Sequence, residues 1–234
     1  MIRAILFDLD NTLLDRQAAF LRFATKLAED YADAEGEERR SWIDSVVEWD
    51  EDGYKDKPQL FREILQRLPC RPAAGWEELY RYYQTHYVAS AVPMEGMKEL
   101  LSALRPYYRL GIVTNGRDDI QNGKIDKLGI RGWFGSIVVS ESAGIKKPSP
   151  LIFAQALAEL DVNPEQGLFV GDHPVNDVEG ALLSGMRAVW LKRSQPWNES
   201  IAVMPDAVIS SLAELPDAIR HAWGQTASSI KRLS

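Results

Sequence analysis

Apolar positions along the chain follow two rhythms. Residues 2–7 form a short, mostly apolar run that ends at Asp8 and Asp10. Runs of the same character occupy 110–114, 136–140, 167–171 and 188–191, with a weaker one at 207–209. Short runs without alternation are the pattern of strands buried on both faces of a parallel sheet. Between them lie stripes of helical period: Met97, Leu100, Leu101 and Leu104 within 94–104, and Phe153, Ala156, Leu157 and Leu160 within 151–160. Pro150 and Pro174 stand where a first helical turn tolerates a missing N–H. Strands alternating with amphipathic helices predict βαβ units with right-handed crossovers. The expected fold class is therefore α/β, a Rossmann-like parallel sheet flanked by helices.

One stretch breaks the alternation. Residues 17–91 contain no convincing strand but four helical stripes: Phe20, Phe23, Leu27 and Tyr31; Trp42, Ile43, Val46 and Val47; Leu60, Phe61, Ile64, Leu65 and Leu68; Trp76, Leu79, Tyr83 and Tyr87. Four such helices can bury their stripes against one another. The expected organisation is a core domain of residues 1–16 and 92–234 with a small all-helical cap domain at 17–91. Because the insertion follows the first strand, it is expected to stand over that strand's carboxyl end, with hinges near 14–16 and 90–93. Residues 225–234 are small and polar and are expected to fray.

Composition narrows the function classes. With 234 residues, 45% of them hydrophobic and 26% charged, the chain can bury a sizeable core. A net charge of -7 argues against nucleic acid or an anionic membrane as partner, since a polyanion must be met by an excess of Lys and Arg. No apolar stretch approaches the ~20 residues that span a bilayer, and the apolar opening runs into Asp8 without a cleavage pattern. The lone cysteine, Cys70, can form no intrachain disulfide and no cysteine-based zinc cluster. A cytoplasmic protein is expected, with its oligomeric state open.

Candidate chemistry sits at strand ends. Asp8, Leu9, Asp10, Asn11 and Thr12 close the first run, and two carboxylates one residue apart can face one site. Magnesium takes hard oxygen ligands of this kind, although Asp, Asn and Thr are also ordinary turn residues. Three further signals shift the balance: Thr114, Asn115 and Gly116 end the second run, Lys147 and Pro148 follow the third, and Gly171, Asp172 and Asp177 end the fourth. Loops at the carboxyl edge of a parallel sheet converge on one crevice.

This ordered set resembles the haloacid dehalogenase (HAD) superfamily over essentially the whole chain, helical cap included. The matching motifs are Phe-Asp-Leu-Asp-Asn-Thr-Leu at 7–13, Val-Thr-Asn-Gly at 113–116, Lys147 before Pro148, and Gly171-Asp172 with Asp177 downstream. The resemblance implies that Asp8 is a nucleophile forming an aspartyl-phosphate and that Asp10 is the general acid and base. It implies a magnesium site of Asp8, Asp10, Asp172 and Asp177. It also implies a phosphate cradle from Thr114, Asn115, Lys147 and the loop amides of Leu9 and Asp10. The expected partner is a small phosphorylated metabolite. A carboxylate can attack a phosphate dianion only where their repulsion is screened, which magnesium and Lys147 would provide.

Asp10 separates activities within the family, because the dehalogenases lack an acid at that position; phosphoryl transfer is favoured over carbon–halogen cleavage. Hydrolysis is the commoner outcome, but phosphomutases share the four motifs. A non-enzymatic phosphoaspartate switch is disfavoured, since receiver domains place adjacent acids on the first strand and their phosphoacceptor on a later one. Gln121 and Lys124-Ile125 after the second motif look similar to members acting on nucleoside monophosphates and sugar-acid phosphates. His173 is expected to be a hydrogen-bonded or solvated bystander, Glu141 an exposed strand-end acid, and Gly116 and Gly171 to serve backbone geometry. Asn11 replaces the motif's usual Gly and should tolerate left-handed backbone. In the cap, Trp49, Tyr54 and Lys57, beside Lys55, interrupt the stripes and are the candidates for substrate specificity. Tyr80, Tyr82, Tyr83 and His86 form a second cluster, mostly core.

Overall fold

A computed structural model describes residues 1–72 and 75–224; the expected fraying of 225–234 lies outside the described residues. In chain order the main elements are β1 (Ala4–Phe7), α1 (Arg16–Tyr31), α2 (Gly36–Trp49), α3 (Lys57–Arg67), α4 (Trp76–His86), α5 (Met97–Leu104), β2 (Arg109–Thr114), α6 (Asp118–Leu128), β3 (Ser136–Val139), α7 (Ser140–Ala143), α8 (Pro150–Glu159), β4 (Gly167–Gly171), α9 (Gly180–Leu183), β5 (Arg187–Leu191), β6 (Ala207–Ile209) and α10 (Leu215–Trp223). They form two compact units, the first being Met1–Leu14 together with the described residues from Pro93 onward and the second Asp15–Val92. Among the described residues no helix is long and apolar enough to cross a membrane.

In the first unit the six strands lie in the order β3-β2-β1-β4-β5-β6, every neighbouring pair parallel. The expected α/β sheet is present, and its strands fall where the apolar runs placed them. Strand order reverses on either side of β1, so the crevice at the carboxyl ends of β1 and β4 is the switch point where such sheets bind ligands. Phe7 is paired with Ile112 on one side and Val170 on the other, which brings the ends of β1, β2 and β4 level. β1 is fully buried, as its unbroken apolar run requires. α8 starts at Pro150 and lays Ile152, Phe153, Ala156 and Leu157 on the sheet, with Phe153 edge-on to Phe169 at 5.1 Å between ring centroids. Burial of each of the larger side chains, Ile152, Phe153 and Leu157, stabilises the fold by about 1.5–3 kcal/mol.

Two of the departures from the sequence reading have local causes. The helix expected from residue 94 starts at Met97, because Gly96 takes a left-handed conformation at φ 73°. α6 was not foreseen: Asp118, Asp119, Asn122 and Gly123 thin its stripe, and its buried face, Ile120, Gln121, Lys124, Ile125 and Leu128, carries two polar residues.

The second unit is all-helical. α1 to α4 coincide with the four stripes and pack through aromatic rings: Phe23 meets Tyr83 edge-on at 5.3 Å, and Tyr83 stacks on Tyr87 at 4.8 Å. Tyr83 is thus core, as its spacing implied. His86 stacks on Tyr82 at 3.9 Å. Between α2 and α3, the buried Asp50 accepts from Arg16 at 2.6 Å and is ion-paired with Lys57 at 2.8 Å, tying together the starts of α1 and α3 and the end of α2. Glu51 and Asp52 there have φ of 52° and 53°. Trp49 has the Arg67 guanidinium over its ring at 4.3 Å, whereas Tyr54 is 60% exposed.

Candidate active site

The site grows from the end of β1, where the buried strand must turn as soon as its polar residues begin. The Leu9 carbonyl accepts from the amides of Thr12, Leu13 and Leu14, and Asn11 supplies the left-handed residue that this tight loop needs, at φ 58°. Asp8 and Asp10 are thereby held on one short loop. Thr114 and Asn115 come from the end of β2, Lys147 from the segment before α8, and Asp172 and Asp177 from the loop and π-helical turn after β4.

Lys147 is the hub. Its Nζ donates to Asp8 Oδ1 and to Asp177 Oδ1, both at 2.6 Å. Burial alone would favour the neutral amine, but the Asp177 and Asp8 carboxylates outweigh it and raise the Lys147 pKa, so it stays an ammonium. Asn115 fixes its main chain: Asn115 Nδ2 donates to the Lys147 carbonyl at 3.1 Å and the Lys147 amide donates to Asn115 Oδ1 at 2.9 Å. Both side-chain polar atoms of Asn115 therefore serve Lys147, and the second N–H of Nδ2 and the main chain are what remain for the phosphate contact expected of it.

Asp8, Asp172 and Asp177 are all buried, and each offers an oxygen within 4.8 Å of the others. Three carboxylates against the one Lys147 ammonium leave two negative charges, the charge of one divalent cation. An all-oxygen set with that deficit suits a hard cation such as magnesium. The scaffold holds these acids closely. A Cβ on Gly171 would lie 2.4 Å from Asp177 Oδ2, so only glycine fits there. The His173 amide donates to Asp177 Oδ2 at 2.9 Å, and Trp190 Nε1 donates to the Asp172 carbonyl at 2.8 Å.

Burial pushes the Asp8 carboxyl up to about 7; the Lys147 ammonium opposes the rise, and the Asp177 and Asp10 charges add to it. His173 Nδ1 accepts from the amides of Val175 and Asn176, each at 3.1 Å, and caps the turn that carries Asp177. Burial holds its imidazole below the usual range, consistent with the neutral ring that this acceptor role demands. His173 is thus hydrogen-bonded structure, as expected. Glu141 is exposed and accepts from the Asp118 amide at 2.7 Å, at the start of α6.

The first unit thus assembles Asp8, Asp10, Thr114, Asn115, Lys147, Asp172 and Asp177, while Trp49, Tyr54 and Lys57 belong to the second unit. Two members of the site, Gln121 and Lys124, stood out in the sequence only by likeness to other family members and had no role assigned to them. Lys124 Nζ donates to Asp10 Oδ1 at 2.8 Å and Oδ2 at 3.0 Å, and Gln121 Nε2 donates to Asp10 Oδ2 at 2.9 Å. The signal was present: two long polar residues, one helical turn apart, on an otherwise apolar helix face.

Known proteins resemble this chain over most of its length. The family model described as haloacid dehalogenase-like hydrolase matches residues 5–191, a span that includes all the motif residues. Over 211 residues the chain is 33% identical to glyceraldehyde 3-phosphate phosphatase of Pyrococcus abyssi, covering 82% of each protein. Over 227 residues it is 32% identical to pyrimidine 5'-nucleotidase YjjG of Escherichia coli, covering 90% of this chain and 95% of that one. Among solved structures, the HAD-hydrolase YfnB of Bacillus subtilis, bound to magnesium, shares the fold with a TM-score of 0.73 at 24% identity, over 92% of this chain and 97% of that one. With its strand-end motifs, its sheet order and these relatives in agreement, the chain belongs to the haloacid dehalogenase-like hydrolase family.

Proposed function

We propose that this chain is a magnesium-dependent phosphatase that hydrolyses a small phosphomonoester (a nucleotide, sugar phosphate or sugar-acid phosphate) through an aspartyl-phosphate on Asp8. The observation that carries the reading is the pairing of Asp8 with the buried Lys147, beside Asp172 and Asp177, while a second carboxylate, Asp10, stands two residues on. Relatives above 30% identity that are named as a phosphatase and a nucleotidase support the same chemistry.

Asp8 attacks phosphorus as the bond to the leaving oxygen breaks, and Asp10 gives that oxygen its proton. Water then attacks the phosphorus of the aspartyl-phosphate, Asp10 takes its proton, and inorganic phosphate leaves with the Asp8 carboxylate restored. Lys147 and Thr114 stabilise charge on the transferring group, joined by the loop amides of Leu9 and Asp10. Magnesium, held by Asp8, Asp172 and Asp177 with Asp10 beside them, would screen the repulsion between the nucleophile and the phosphate.

A hydrolysis screen across nucleotides, sugar phosphates and sugar-acid phosphates tests this directly. Turnover of at least one class is expected with magnesium, with loss on chelation and inhibition by calcium, whose longer and looser coordination would misplace the nucleophile. Full activity in excess chelator would contradict the site.

Substrate choice is assigned to the second unit, around Trp49, Tyr54 and Lys57. Because Tyr54 is 60% exposed whereas Trp49 and Lys57 are half-buried, Tyr54→Ala is the variant least disturbing to the fold, and the triple alanine variant is its stronger companion. The expected result is a changed substrate ranking, with KM for the best substrate raised roughly tenfold and hydrolysis of para-nitrophenyl phosphate falling much less. An unchanged ranking in well-folded variants would place specificity elsewhere.

A further inference from the structure

The reaction scheme above employs one buried lysine, yet the first unit buries two. Lys124 is only 3% exposed, as deep as Lys147. An ammonium is withdrawn from water at a cost of several kcal/mol unless it is paired and fully hydrogen-bonded. Lys124 meets that demand by donating to both Asp10 oxygens and to Gln121 Oε1 at 2.9 Å.

This contact also fixes the Gln121 amide. Lysine only donates, so the oxygen of Gln121 must face Lys124 and its nitrogen must face the other way. There Nε2 donates to Asp10 Oδ2 at 2.9 Å and to Thr114 Oγ1 at 2.6 Å. A hydroxyl that accepts from Gln121 keeps its own hydrogen for a different acceptor. One helical turn of α6 thus sets both the rotamer of Asp10 and the direction in which Thr114 donates.

The Asp10 side chain remains 23% exposed, so its carboxylate is gripped without being sealed from solvent. A side chain that merely filled space in α6 would need neither two long polar residues nor this registry with a strand-end loop far away in sequence.

We infer that Lys124 and Gln121 are positioning residues for proton transfer, clamping the Asp10 carboxyl group toward the leaving oxygen in the first step, which it enters as the acid, and toward the attacking water in the second, which it enters as the carboxylate. The inference rests on the proposed phosphatase reading and deepens it. A loosely held acid–base group loses alignment in both steps, whereas attack by Asp8, screened by Lys147, depends on α6 only through the Gln121–Thr114 hydrogen bond, in which Lys124 takes no part.

The test uses Lys124→Met, which keeps most of the length of the side chain and removes the ammonium, and Gln121→Leu as a second variant that removes no charge. Thermal midpoints and magnesium affinity confirm that each is folded. With an alkyl phosphate, whose leaving oxygen needs a proton, kcat should fall about 10–100-fold with KM changed far less. With para-nitrophenyl phosphate, whose leaving group departs without a proton, transfer to Asp8 should persist. A burst approaching one nitrophenolate per chain should then precede slow turnover, larger than in the unaltered protein, and phosphorylated protein should accumulate. Lys124→Arg, which restores a cationic donor, should recover part of kcat.

Equal losses on both substrates without a burst, or rates like those of the unaltered protein, would overturn the inference. Asp10→Asn separates the two readings. If it shows the burst and slow turnover while the α6 variants match the unaltered protein, the phosphatase reading stands and the clamp fails. If Asp10→Asn retains full turnover, both fail.

Discussion

Replacing Asp8 with Asn is expected to lower kcat by about 10⁴-fold or more, the order seen when a covalent nucleophile is removed, while leaving the thermal midpoint little changed. The amide has nearly the shape of the carboxylate and can still accept from Lys147 Nζ at the place where Oδ1 now lies 2.6 Å away. It cannot form an acyl phosphate. The fold should in fact gain slightly in the metal-free state, because burial already pushes the Asp8 carboxyl up to about 7 and a neutral amide escapes that cost. Steady-state hydrolysis and a melting curve check both halves. Residual activity within tenfold of the unaltered protein would remove Asp8 from the nucleophile's role.

Lys147→Met should depress every substrate alike, by roughly 10²–10³-fold in kcat/KM, since the group it serves is the phosphoryl common to all of them. The variant should also shift the pH profile in a defined direction. Burial raises the Asp8 pKa and the Lys147 ammonium is the main influence opposing that rise. Without it the carboxylate forms only at higher pH, and because the nucleophile must be ionised, the acid limb of kcat/KM moves toward alkaline pH. A limb that stays in place, or a loss confined to one substrate, would show that Lys147 does not act on Asp8 and the phosphoryl group. Asp177 loses the same partner at 2.6 Å, so magnesium affinity should be measured in parallel to separate the two consequences.

Much of this site was legible in the sequence because strand ends and chemistry coincide. A parallel strand buried on both faces has no alternation to blur its limits, so the places where residues 2–7, 110–114 and 167–171 give way to Asp8, Thr114 and Asp172 were visible as breaks in composition. Asn11 was readable for the same local reason, since its left-handed φ of 58° is a property of the residue and its turn. Lys124 and Gln121 were not assigned, because periodicity sorts residues by polarity and a polar residue on a buried face looks like an exposed one until its partner is known. Their partner, Asp10, lies on a different loop. The second unit shows the same limit. Lys57 and Trp49 stood out because they interrupt apolar stripes, yet the former is spent on the buried Asp50 and the latter lies under Arg67 of the neighbouring helix. A sequence shows that a stripe is interrupted, but only the packing shows what answers the interruption.

The central claim, that a phosphoryl group rests on Asp8 during turnover, is tested most directly by acid-quenching the protein while it hydrolyses its best substrate and locating the added mass by peptide mass spectrometry. The account predicts one phosphoryl group on the peptide that contains Asp8, absent from Asp8→Asn and accumulating in Asp10→Asn, where the attacking water lacks its base. Steady turnover with no phosphorylated peptide, or a phosphoryl group on any other residue, would contradict it.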